Sequence, residues 1–243
     1  MAAAAGEREL FLGVDVGTQG TKGVLVAAEG PTRRVARGGG PPVAAAAGGL
    51  QVAAPDGGSP VVARAGRSYG LIEGLPPGAA EQHPEYWWRA VIEVVRELLG
   101  RTGVDPARVR GIGVSGQQHG LVVVDAKGQV LRAAKLWCDT STAREAAELS
   151  ERLGRAVPAG FTASKIVWLA RHEPEAWRRT ALVLLPHDFI NFRLTGRAVM
   201  EAGDASGTGF FDPVTRAWDE RAVTAVDAGL PSRLPPLLDA GEP

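Results

Sequence analysis

The stretch LGVDVGTQGTKGVLV, residues 12–26, constrains the fold more than any other part of this chain. Two short β-branched-rich runs, residues 9–16 (ELFLGVDV) and 22–28 (KGVLVAA), are separated only by Gly17 to Thr21, which predicts a hairpin. Within it lie four glycines, two threonines and a lysine, and a single carboxylate, Asp15, interrupts what should be buried strand. A Gly/Thr turn between strands exposes backbone N–H groups that can cradle phosphate oxygens, and Lys22 adds a cation. Asp15, at the end of the first strand, is placed to hold a hydrated magnesium ion. The same residues also suit an ordinary Gly-rich hairpin in which Asp15 caps its own turn. The Gly-x-x-x-x-Gly-Lys-Ser/Thr spacing of a Walker loop does not occur.

Downstream, the pattern alternates between strand and helix. From Glu29 to about Pro60 the composition shifts to Ala, Gly and Pro, which cannot bury enough apolar surface to offset its ordering entropy, so an insertion is expected over about 30–60. PVVARAGRSYGLI is a third strand. EQHPEYWWRAVIEVVRELLG is an amphipathic helix starting at Pro84, with Trp87, Val91, Val94, Val95 and Leu98 on one stripe, and closing at Gly100. Trp87 and Trp88 suit the core and rim of that helix better than a stacking platform for bases. RVRGIGVSG and LVVVDAKGQVLRAAKLW read as strands, the second turning at Asp125 to Gly128. TSTAREAAELSERLG is a helix capped by Thr140 or Ser141, and SKIVWLARHEPEAWRRT is helical with a break at Pro174. ALVLLP is a buried strand, and HDFINFRLTGR a helix capped by Gly196. The order of elements is that of an α/β fold with a hairpin-built sheet edge. Gly111, Gly113 and Gly116 match Gly-x-Gly-x-x-Gly, but the chain continues as extended QQHGLVVVD where a dinucleotide site would open a helix.

Charge narrows the partners. The 27 basic and 27 acidic residues cancel, so no long-range field draws in nucleic acid or an anionic membrane, and a small-molecule partner is favoured. Cys138 is the only cysteine, which excludes a disulfide framework and fits a reducing, cytoplasmic compartment. The four histidines never take helical zinc spacing. No run reaches the roughly 18 apolar residues of a membrane span, and MAAAAGERELF lacks the form of a signal peptide.

Read with the hairpin, SGQQHGLVVVDAKGQVLRAAKLWCD (residues 115–139) resembles the sugar kinases of the FGGY family and, within it, the xylulokinases. Asp15-x-Gly17-Thr18-x-x-x-Lys22 is similar to the family's first phosphate motif, Ser115 to Gly120 to its sugar-binding loop, and Leu136-Trp137-x-Asp139 to the element that follows. Gly160 to Ala163 with Lys165, then LLPHDFINFRLTG and GDASGTGFFD, complete a set that runs in order from residue 10 to about 240.

The resemblance implies an actin-like ATPase or ribonuclease H-like domain, with a mixed sheet starting in a three-stranded antiparallel meander and helices on both faces. Residues 1–8 would be a tail and 9–243 the N-terminal, sugar-binding domain. It implies ATP and Mg²⁺ as cofactors, with Gly17, Thr18, Gln19, Thr21 and Lys22 at the phosphates and Asp15 at the metal through water. It implies D-xylulose as the sugar, with a ribulose, gluconate or glycerol kinase or a non-catalytic sugar-binding module as the alternative, and a site of Gln118, His119, Trp137 and Asp139, although Trp137 and Asp139 suit loop closure as well. Asp204 matches the general base. Family members are roughly twice as long, so the nucleotide-binding half would lie outside this chain, and phosphoryl transfer needs both halves. No nucleic-acid or membrane partner is implied, and a homodimer is left open by charge and composition.

Overall fold

The computed structural model describes residues 8–28 and 61–238. The expected tail, apart from Arg8, and the expected insertion over about 30–60 lie outside the described residues. Strands β1 (Leu10–Gly17) and β2 (Gly20–Ala27) pair antiparallel with Gly17 opposite Gly20, leaving only Thr18 and Gln19 in the turn. The expected five-residue loop is thus shorter than the sequence suggested, because a two-residue turn follows the twist of its flanking strands and the ladder takes up Gly17, Gly20 and Thr21. Strand β3 (Val61–Ser68) pairs antiparallel with β2. A side chain at Gly20 would place its Cβ 2.4 Å from the Arg67 carbonyl oxygen, so this close passage of β3 requires glycine.

After the short β4 (Glu81–Gln82), α1 (Pro84–Thr102) starts with proline in its first turn and His83 accepting from the Glu85 N–H. It passes through Gly100, where the sequence suggested an end, and closes at Gly103, whose φ of 62° supplies the left-handed cap. Strand β5 (Val109–Gly116) runs parallel to β1, giving a mixed sheet in the order β3-β2-β1-β5. A loop follows Gly116, not a helix, as extended chain there demands. The remaining elements are β6 (Val122–Val124), β7 (Ala134–Lys135), α2 (Ala143–Leu153), α3 (Thr162–His172), α4 (Pro174–Arg179), β8 (Leu182–Leu184) and α5 (Pro186–Thr195). They are followed by β9 (Met200–Glu201), α6 (Ala202–Ala205), β10 (Phe211–Asp212), β11 (Ala217–Trp218), α7 (Glu220–Val226) and β12 (Leu237–Leu238). Neither Thr140 nor Ser141 caps α2. The N-cap is Thr142, without a side-chain bond, because Thr140 Oγ1 donates to the Gly78 carbonyl and Ser141 Oγ to Asp139.

Two cores meet at the β6/β8 pair. Val122, Val124 and Leu184 pack with Trp87, Val91, Val94 and Leu98 of α1 against Leu10, Leu12, Val14 and Val16 of the sheet. Val123 and Val183 point the other way, into a second core with Leu149, Ile166, Leu169, Phe210 and Val223. Strand alternation explains this: a pair buried on both faces sends successive side chains to opposite sides, so VVV can serve two cores at once. No described helix is long and apolar enough to cross a membrane.

Candidate functional site

Asp15 and Lys22 are cross-strand partners, and both are exposed on the outward face of the hairpin. They line a cavity of about 610 Å³ together with Gly17, Thr18, Gln19, Thr21 and Trp137. The residues expected at a phosphate chain and its cation therefore share one wall. Thr21 lies under that wall with no exposed surface, its Oγ1 3.2 Å from the Tyr69 hydroxyl. Tyr69 in turn donates to the Gly17 carbonyl at 2.9 Å, and burial pushes its pKa up to about 12, so it stays a donor.

A buried amide relay ties this turn to the sugar loop. Gln82, fully buried at the end of β4, donates to the Thr18 carbonyl at 2.7 Å and accepts from Gln117 Nε2 at 3.1 Å and Trp87 Nε1 at 2.9 Å. Gln117 Oε1 accepts from Thr18 Oγ1 at 3.1 Å, and that hydroxyl accepts from Trp137 Nε1 at 3.0 Å. Gln82 Nε2 also donates to the Gly70 carbonyl at 3.1 Å, so both of its hydrogens are used and the amide orientations fix one another. Trp137, half exposed at 51%, stands on the cavity wall through this bond.

The loop after β5 carries Gln118, exposed, and His119, half-buried with a φ of 63°. His119 Nδ1 lies 2.8 Å from the Gly207 carbonyl. A carbonyl only accepts, so the proton sits on Nδ1 and Nε2 of the neutral ring is free to accept from a hydroxyl. The ring stacks on Phe161 at 4.9 Å between centroids, and a Cβ on Gly207 would fall 2.0 Å from His119 Nδ1. Phe161 is held by Lys165, whose buried Nζ donates to the carbonyls of Ala159, Gly160 and Phe161. Desolvation lowers the pKa of that amine to about 7.

Asp139 sits elsewhere. It has no exposed surface, and its oxygens accept from the Ala80 N–H at 2.9 Å, the Ser141 N–H at 2.9 Å, Ser141 Oγ at 2.6 Å and Lys135 Nζ at 3.3 Å. It closes the loop between β7 and α2.

Asp204 lies on α6, whose first N–H groups are capped by the Glu201 carboxylate. Its side chain is only 7% exposed, and its Oδ2 is wholly buried with no hydrogen bond of good geometry, although His187 Nδ1 lies 3.1 Å away. His187 opens α5, where its backbone packs on Gly116 so closely that a Cβ there would come within 3.1 Å. Asp15 pairs with Ser115, the neighbour of Gly116. The two carboxylates thus flank the end of β5, linked through Ser115, Gly116 and His187, while Asp204 is on the wall of neither cavity that Asp15 lines. Sequence reasoning missed Gln82, Tyr69 and His187; His187 stands inside the LLPHDFINFRLTG motif without being singled out, while Tyr69 and Gln82 lie in segments read only as a strand and the approach to a helix.

Comparison with known proteins identifies the family. The profile of the FGGY family of carbohydrate kinases, N-terminal domain, matches residues 47–243. The xylulose kinase of Streptomyces rubiginosus is 36% identical over 248 residues, covering 98% of this chain and 44% of that protein. The xylulose kinase of Haemophilus influenzae is 32% identical over 247 residues, covering 95% and 44%. Among solved structures, a Brucella ovis kinase described as a xyloylose kinase superposes with a TM-score of 0.76 at 30% identity, covering 96% of this chain and 44% of that one. The chain spans less than half the length of the curated relatives it matches. It belongs to the FGGY family of carbohydrate kinases, whose N-terminal domain it carries.

Proposed function

We propose that this chain, over residues 9–243, is the sugar-binding half of an ATP-dependent kinase that converts D-xylulose to D-xylulose 5-phosphate. The observation that carries this reading is the bond from His119 to the Gly207 carbonyl, which fastens the sugar loop to the turn bearing Asp204. Gln118 and His119 Nε2 offer a donor, an acceptor and an exposed edge to the hydroxyls of a ketose, and unpaired partners there would reject a sugar lacking them. Asp204 takes the proton of the terminal hydroxyl as that oxygen attacks the γ-phosphorus, and ADP leaves from the far side. A single oriented acceptor of this kind is worth roughly 100- to 10,000-fold in rate.

The exposed Asp15 carboxylate beside Lys22 and the two-residue turn fits a hydrated divalent cation next to a phosphate chain. When bound, Mg²⁺ neutralises the phosphate oxygens. Gly17, Thr18 and Gln19 would present the turn to those phosphates, Lys22 would add charge, and Trp137 would hold Thr18 in place. A second half would supply the adenosine pocket and exclude water on closing. The names of the relatives favour xylulose, and a panel of xylulose, ribulose, gluconate and glycerol with coupled ADP detection decides the sugar.

In a protein joining this half to a nucleotide-binding half, Asp204→Asn is expected to cut turnover at least about 100-fold with sugar binding nearly unchanged. Unaltered turnover would sink the assignment. A second reading, for this half in isolation, is a module that binds ketose without transfer, since phosphoryl transfer needs both halves. It predicts a saturable ketose titration by tryptophan fluorescence with no ADP formed.

A further inference from the structure

Asp204 has one ionisable neighbour to which the proposed reaction gives no part. His187 Nδ1 lies 3.1 Å from Asp204 Oδ2 and 3.4 Å from Asp188 Oδ1, and these three residues form a tight cluster at the start of α5. The ring's other nitrogen, Nε2, is 3.1 Å from Asn191 Nδ2, and a doubly protonated ring donates there only with the amide turned to present its oxygen, an exchange of two atoms of nearly equal size. Asp188 is itself anchored, its Oδ2 accepting from the Leu185 N–H at 3.0 Å. The charged groups facing His187 are therefore Asp188 from its own helix and Asp204 from α6, while β5 contributes only the Gly116 backbone.

We propose that His187 is a positioning residue for the base: as a cation it holds Asp204 through Oδ2, keeps that carboxylate ionised, and leaves Oδ1 to accept the sugar's proton. This rests on Asp204 being the base. Three observations carry it. Oδ2 is buried and has no better partner, so a carboxylate placed there without a cation would suffer uncompensated desolvation. The histidine is set on both sides, with Gly116 packed against its Cα and Cβ and Asn191 beside its far nitrogen. The two carboxylates facing Nδ1, Asp188 first and then Asp204, push the histidine pKa up to about 10, so the ring is charged over the whole physiological range.

The test follows carboxyl and imidazole titrations by NMR in this 243-residue chain, which requires no turnover. His187→Gln is expected to raise the Asp204 titration midpoint by at least about 1 pH unit, and His187→Lys to restore it. Asp204→Asn is expected to lower the His187 midpoint by a similar amount. With a nucleotide-binding half joined, the acid limb of kcat/KM should move up in His187→Gln and return in the lysine variant. A merely structural role would not distinguish glutamine from lysine by pH. An Asp204 midpoint unmoved in His187→Gln overturns the inference, as does a His187 that titrates near 6.5 in the unaltered chain, or one whose signal is captured by micromolar Mn²⁺ or Zn²⁺, which would make the cluster a metal site. If Asp204→Asn retains full turnover, the base assignment itself fails, an outcome separable from all of these.

Discussion

Lys165 shows how one buried side chain can shape the site from outside it. Its amine is enclosed and bonds three successive carbonyls, so the loop carrying Phe161, the platform under His119, is folded around it. Burial lowers its pKa to about 7, below the 10.5 of an exposed lysine, so the unfolded chain binds more protons than the folded one between these values. Its charging therefore opposes folding fully below pH 7, and that opposition fades as pH rises towards 10.5. Lys165→Met is expected to abolish this upward slope in urea-melt stability between pH 7 and 10, and to weaken ketose binding by loosening Phe161. Melts in which both chains keep the same slope would contradict this. At this scale the sequence singled out Asp15, Lys22, His119, Trp137 and Asp204 as candidates because they stand in motifs, and gave no sign of their contacts. Nothing in GQQHG announces that Gln117 faces Gln82, 35 positions earlier.

Elements were the most legible level, since hydrophobic period and glycine or proline punctuation are local properties. The helix opening at Pro84, the break at Pro174 and the Gly196 cap stand where those residues suggested, whereas Pro186, read as the end of a strand, opens α5. The turn was misjudged for a reason that is also physical: pairing with β3 and β1 draws glycine and threonine into the ladder, and the pull of a neighbouring strand leaves no mark in a local window. Gly20→Ala is expected to destabilise the domain by about 1–3 kcal/mol, because the new methyl meets a backbone carbonyl that cannot rotate away. The variant should also lose contact between the turn and the Tyr69 N–H, which accelerated amide exchange at Tyr69 would reveal. An unchanged urea midpoint would contradict it. Helix caps erred in the same way, for Thr140 and Ser141 are taken up by Gly78, Asp139 and Lys135 before α2 begins.

Across the whole molecule, a buried charge network fastens the sheet-side core to the helical one. Lys135 lies between Glu81 at 3.1 Å and Asp139 at 3.3 Å, under the Trp168 ring at 4.0 Å, while Arg132 joins Glu81 to Glu173, both at 2.9 Å. Its members come from β4, β7 and the α3–α4 region, so no sequence window contains it. Lys135→Met would leave Asp139 and Glu81 without their shared cation, and breaking a buried pair costs about 3–5 kcal/mol. The low end is expected, because Arg132 still holds Glu81 and Ser141 still donates to Asp139. Urea melts of the two chains check this, and a loss under about 1 kcal/mol would show the network to be weakly coupled. By itself the sequence determined most of the elements, the family resemblance and a set of candidate residues, because period, punctuation and motif spacing are written along the chain. Which side chains meet was decided only by the tertiary structure: the His119 tautomer, the enclosure of Asp139, the cation set against Asp204. Those follow from distances between segments far apart in sequence, and it is burial among such segments that sets each group's proton affinity and hydrogen-bond partners.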